Sequence, residues 1–138
     1  NCIEKAIVLA AACRLHEIPA RLGFANVRNH IATGDIEKTL GTNVLVFHGY
    51  TDLLLENNWV KATPAFNKSL CEKIGVAPLE FNGSEDSVFQ QYAPGGGSFM
   101  EYLVDHGHYP DLPYDHMMAL WREHYPQLVD RWAEGNLF

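Results

Sequence analysis

Asn1-Cys2-Ile3-Glu4-Lys5-Ala6, continued by Ile7-Val8-Leu9-Ala10-Ala11-Ala12-Cys13 and closed by Ile18-Pro19-Ala20-Arg21, sets a cysteine at the head of an apolar helix that turns into a strand. Ala6 to Cys13 is an unbroken run of helix formers and apolar residues, too long for an ordinary strand. Apolar on every side, it predicts a helix buried within the domain. Asn1 suits an N-cap, and Glu4 three positions on completes a capping-box pattern that also fits the positive end of the helix dipole. Cys2 is then the first helical residue, where unpaired backbone N–H groups and the macrodipole favour thiolate over thiol. That is the placement of a nucleophile; the plainer alternative is a free thiol with no role.

Working outward, Ile18 before Pro19 ends the helix, and Arg21 to Val27 reads as a strand in which Gly23 marks a bulge or close approach. Arg28 to Asp35 is a polar loop, and Ile36 to Leu40 one helical turn. Asn43 to Leu55 and Trp59 to Thr63 form an antiparallel pair across the turn Glu56-Asn57-Asn58. Phe66 to Ile74 is a short helix stopped by Gly75. Val76 to Gly97 is irregular, a length that points to mobility or function, and a strand is expected over Ser98 to Val104. Tyr114 to Tyr125 and Pro126 to Trp132 close the chain as amphipathic helices. The fold class is therefore α+β: a buried N-terminal helix on a small antiparallel sheet, with helices at the end.

At 138 residues and 47% hydrophobic content, positions 1–138 fit a single domain with a core. The formal charge of −7 argues against nucleic-acid and anionic-membrane partners. No apolar stretch reaches membrane-spanning length. Three scattered cysteines suit neither a disulfide framework nor a zinc site, which favours a reducing, cytoplasmic compartment. The chain starts at Asn1 rather than Met and so reads as a domain lacking upstream residues.

His48 lies mid-strand among Val44, Val46, Phe47 and Leu53 to Leu55. A lone strand histidine is usually structural, but beside a helix-capping cysteine an imidazole can take the thiol proton and return it to a leaving amine. Asp52 and Glu56 lie further along the same hairpin. His106-Gly107-His108, His116 and His124 lack metal-site spacing and read as surface histidines, so no metal and no cofactor is expected. Gly95-Gly96-Gly97 is a flexible turn, and Cys13 and Cys71 are buried apolar fillers. Arg21 and Arg28 are available to orient a substrate carboxylate. Trp59, Phe66, Tyr102, Trp121 and Trp132 read as core or groove walls, and Glu85, Asp86 and Asp105 as solvated loop surface.

Cys2-x-x-Lys5-Ala6, Ile18-Pro19-Ala20-Arg21, His48-Gly49-Tyr50 and Trp59-Val60-Lys61-Ala62-Thr63-Pro64, in that order, resemble the core of the transglutaminase-like superfamily, papain-like cysteine enzymes that include bacterial proteins of unassigned substrate. The resemblance runs from Cys2 to Asn67. It implies Cys2 as nucleophile and His48 as general base. The third catalytic position, an aspartate before proline in that family, holds Thr63 before Pro64. Threonine accepts a hydrogen bond from imidazole but brings no charge; Asn67, a neutral amide of the kind papain-like enzymes use, or Asp52 and Glu56 near the hairpin are the alternatives. The Cys2 N–H offers one oxyanion donor. The implied activity is cleavage or transfer of an acyl group from a peptide, protein or small amide through a Cys2 thioester, with hydrolysis favoured. A catalytically silent binding module on the same fold is the alternative.

Overall fold

Helix α1 (Cys2–Leu15) opens as the sequence reads: Asn1 Oδ1 accepts from the Glu4 N–H at 3.1 Å, and the Asn1 ammonium meets Glu4 Oε2 at 2.6 Å. Its end is made by Glu17 at φ 60°, which lets the Ile18 N–H fold back to the Cys13 carbonyl. The structure, a computed structural model, describes residues 1–30, 34–88 and 99–133. The other elements are β1 (Ala20–Asn29), α2 (Gly34–Leu40), β2 (Val44–Leu55), β3 (Asn58–Ala62), α3 (Lys68–Ile74), β4 (Met100–Tyr109), α4 (Tyr114–His124) and α5 (Pro126–Ala133). The strands form one antiparallel sheet in the order β3-β2-β1-β4, so the class is α+β.

Alternation along β1 divides the core in two. Leu22 and Phe24 face α1, where Ile3, Ala6, Phe47, Met117, Met118 and Tyr125 complete one cluster. Ala25 and Val27 face the other way, toward Cys71, Val76, Phe99 and Met100. The closing helices fasten onto β2: the Trp121 indole N–H donates to the Val46 carbonyl, and the Tyr125 hydroxyl donates to the Val44 carbonyl while accepting from the Val46 N–H.

Helix α1 is not buried on every side. Ile3, Ala6 and Ala10 form its inward stripe, whereas Val8 is 68% and Leu15 85% exposed. The helix lies against one face of the sheet rather than within it, and its small residues permit a close approach without enclosing it. The strand expected over Ser98 to Val104 runs instead over Met100–Tyr109, because two bulges against β1 and Gly107 at φ 79° carry the pairing through His106 to His108. β1 extends two residues further than its alternation suggested, and α3 begins later than Phe66. Gly95 to Gly97 and the side chain of Trp132 lie outside the described residues.

Candidate active site

The start of α1 meets β2 at Gly49. A Cβ built there would lie 3.2 Å from the Ile3 Cα, tighter than ordinary contact, so glycine lets helix and strand come this close without either giving way. The Gly49, Ile3 and Cys2 amides and the terminal ammonium all act to lower the Cys2 thiol pKa. Cys2 packs against both core clusters and so stands at their seam. His48, one residue before Gly49 and 4% exposed, pairs across the sheet with Ala25, a member of the second of those clusters.

A bulge immediately precedes the histidine. Ala25 pairs with His48 but Val27 with Leu45, leaving an extra residue on β2. Phe47 takes the strain at φ 61°, unusual for a bulky side chain, and is held by its N–H donating to Asn26 Oδ1 at 2.9 Å and by stacking on Phe24 with centroids 4.1 Å apart. Bulges redirect the side chains beside them. An isolated glycine in a run of strand formers was the sequence signal for the close approach; no residue type announced the positive φ at Phe47.

Electrostatics reverse one expectation. Burial pushes the Cys2 thiol above the ordinary cysteine range, and the surrounding amides and ammonium only partly oppose it. Burial also lowers the His48 imidazole to about 4. Near neutral pH the resting forms are therefore thiol and neutral imidazole, not thiolate and imidazolium. The histidine is unprotonated, as a general base must be.

Among the described residues no hydrogen bond joins Thr63 or Asn67, the first candidates for the third position, to His48. Thr63 directly follows the last residue of β3 and is 7% exposed, yet its hydroxyl makes no hydrogen bond among the described residues, to the imidazole or to any other group. Asn67 caps α3: its Oδ1 accepts from the Leu70 N–H at 2.9 Å and from the Ser69 hydroxyl at 3.2 Å. Asp52 is buried in a different network. Arg21 reaches its Oδ2 at 2.8 Å through Nε and 2.7 Å through Nη2, and His108 Nε2 approaches the same oxygen at 3.2 Å. Glu56 sits in the hairpin turn at φ 47°.

The sheet face that carries His48 continues through Tyr50 to Asp52. Tyr50 lies across Gly23, where a Cβ would overlap its ring, and its hydroxyl stands 3.3 Å from His108 Nε2. His108 thus meets Asp52 and Tyr50 through one nitrogen and joins them as a hub rather than a two-ended relay. Burial raises the Tyr50 phenol, which stays protonated. Arg21, stacked 3.9 Å over Trp59, is committed to Asp52, and Arg28 to Glu101 at 2.9 Å, so neither is held ready for a substrate carboxylate. His106 packs tilted against Phe47 and edge-on with His116. Cys71 is buried as expected, but Cys13 is only half-buried. Asp105 belongs to β4, not to a loop, and Asp86 binds the Lys61 N–H at 2.9 Å.

No helix among the described residues is long and apolar enough to cross a membrane. Compared with family models, with curated proteins and with solved structures, the chain matches none.

Proposed function

We propose that the chain is a transglutaminase-like cysteine enzyme with a papain-like core, acting on amides through a Cys2 thioester with His48 as general base. The observation that carries this reading is the packing of the head of α1 on Gly49, the residue that follows the buried, neutral His48, with Cys2 at the seam of the two core clusters. In the proposed reaction the thiol proton passes to the imidazole as sulfur attacks the amide carbonyl. Backbone N–H groups at the start of α1 offset charge on the carbonyl oxygen. The imidazolium then protonates the departing amine as the C–N bond breaks, and the neutral imidazole draws a proton from the water that hydrolyses the thioester. Hydrolysis is preferred to transfer because no acceptor-amine site is marked in the sequence.

A second reading, a silent fold used for binding, is favoured by the unpartnered hydroxyl at Thr63. The two are separated by acylation with p-nitrophenyl acetate in a Cys13→Ser, Cys71→Ser background, followed by intact mass and peptide mapping. One acetyl group on Cys2, formed about 100-fold more slowly or worse in His48→Gln, is expected of the enzyme. Acetylation of Cys2 at the rate of a free thiol, unaffected by His48→Gln, assigns the fold to the silent class.

A further inference from the structure

Two successive residues of β2, Val46 and Phe47, belong to the core cluster beneath α1, where strict alternation would place only one of them. The bulge before His48 is the cause, and it decides which face the histidine takes. His48 pairs with Ala25 and so shares that residue's side of the sheet, opposite Phe47. If the strand ran straight through from Val46, alternation would carry Phe47 to the far face and turn the imidazole toward α1.

A bulge gives up ladder hydrogen bonds, and here side chains replace them. Val46 is met by the closing helices: its N–H donates to the Tyr125 hydroxyl, and its carbonyl accepts from the Trp121 indole at 3.2 Å. Phe47, which joins Val46 to His48, is met by Asn26, whose Oδ1 accepts the Phe47 N–H at 2.9 Å. The same oxygen lies 2.8 Å from His106 Nε2. An amide oxygen only accepts, so His106 carries a proton on Nε2, and the bond is made by the neutral and the charged imidazole alike. Asn26 is thus held from β4 while it holds β2. The pairing of β1 with each of those strands shifts register beside it. A bulky residue such as Phe47 at φ 61° persists only where its surroundings fix it, and the acceptor nearest to His48 that does so is Asn26.

We propose that Asn26 is the positioning residue for the base: by holding the Phe47 N–H it keeps the bulge that directs the His48 imidazole. The inference rests on the cysteine-enzyme reading, in which His48 takes the Cys2 proton, and adds to it the residue that aims the base. The test compares Asn26→Leu, close to asparagine in shape but no acceptor, with Asn26→Asp, which keeps the oxygen, in a Cys13→Ser, Cys71→Ser parent. Acetylation of Cys2 by p-nitrophenyl acetate is timed with and without His48→Gln, and the His48 ring is titrated by NMR. Asn26→Leu is expected to slow acetylation about 10- to 100-fold, the cost of a misplaced reacting group. Asn26→Asp is expected to stay within about threefold of the parent, since both donors keep their acceptor. Because Asn26 acts through His48, adding Asn26→Leu to His48→Gln should slow the reaction by less than about twofold more, whereas a merely structural loss takes the same factor on either background. The ring, which titrates at about 4 in its buried place, should keep that midpoint in Asn26→Asp and move up toward 6.5 in Asn26→Leu. Acetylation of Asn26→Leu at the parent rate, an equal loss with and without His48→Gln, or an equal loss in Asn26→Asp overturns the proposal. Should Asn26→Leu fail to fold, Asn26→Thr, a good strand former whose hydroxyl falls a bond short of the amide oxygen, is held to the same criteria. If the parent acetylates Cys2 at a rate indifferent to His48→Gln, the enzyme reading falls alone and the NMR titration decides: a midpoint raised in Asn26→Leu and kept in Asn26→Asp upholds Asn26 as the anchor of His48, and any other pattern overturns it.

Discussion

The hydroxyl of Thr63 is buried with no partner among the described residues, a condition that costs a folded protein roughly 1–3 kcal/mol relative to a solvated hydroxyl. Replacing it with a methyl group of the same shape removes that penalty and no bond. Thr63→Val is therefore expected to leave stability unchanged or raise it by about 1 kcal/mol, and to leave Cys2 acylation at the wild-type rate. Thermal melts and the acetylation assay check both halves; a drop in acylation with unchanged stability would make Thr63 the group that orients His48. At this scale the sequence identified Cys2 and His48 as chemically suggestive but mispredicted the thiol. A helix N-terminus is worth only about 0.3–1 kcal/mol to a nearby charge, and burial at the seam of two clusters outweighs it. Position in a helix can be read from a sequence, whereas the depth of the helix end beneath its neighbours depends on contacts such as Gly49 with Ile3, which join residues far apart in the chain.

Elements were more legible, because their signals are local. The capping box of α1, the stop of α3 at Gly75 in the left-handed region, and the β2–β3 turn all form where composition placed them. Failures came where tertiary pairing overrode local punctuation. The strand expected to end at Val104 runs on to Tyr109, with Gly107 at φ 79° inside β4 where it helps the strand pass its bulges. Asn67 suits both an orienter and a cap by residue type, and the structure gives it the commoner role, an N-cap. Asn67→Ala is accordingly expected to lower stability by about 1 kcal/mol and to leave acylation within about twofold of wild type, since such a change in rate corresponds to under about 0.5 kcal/mol. Denaturant titration and the acetylation assay separate the roles: a large loss of rate with full stability would return Asn67 to the catalytic group.

At the scale of the whole molecule, one buried side chain makes stability depend on pH. His48 titrates at about 4 when folded and near 6.5 when unfolded. Between those values the unfolded chain binds the extra proton, so protonation favours unfolding and stability falls as pH falls through this window. Above about pH 6.5 both states hold His48 neutral, below about pH 4 both hold it charged, and in neither range does it contribute a slope. The full difference is about 3 kcal/mol, since each pH unit separating the folded and unfolded values corresponds to about 1.4 kcal/mol. His106 and His108, also lowered by burial, act in the same direction, and Glu101, lowered chiefly by its hydrogen bond from His30, adds a loss in more acid solution. Thermal melts of wild type and His48→Gln from about pH 7 to 4 check the attribution. The variant is expected to be less stable at neutral pH if glutamine fits the site poorly, yet to lose markedly less stability on acidification than wild type. The slope is the readout because a simple packing defect shifts both ends of the curve equally. Parallel curves would mean that His48 meets solvent in the folded state, and the neutral, buried base on which the acyl-transfer reading depends would have to be given up.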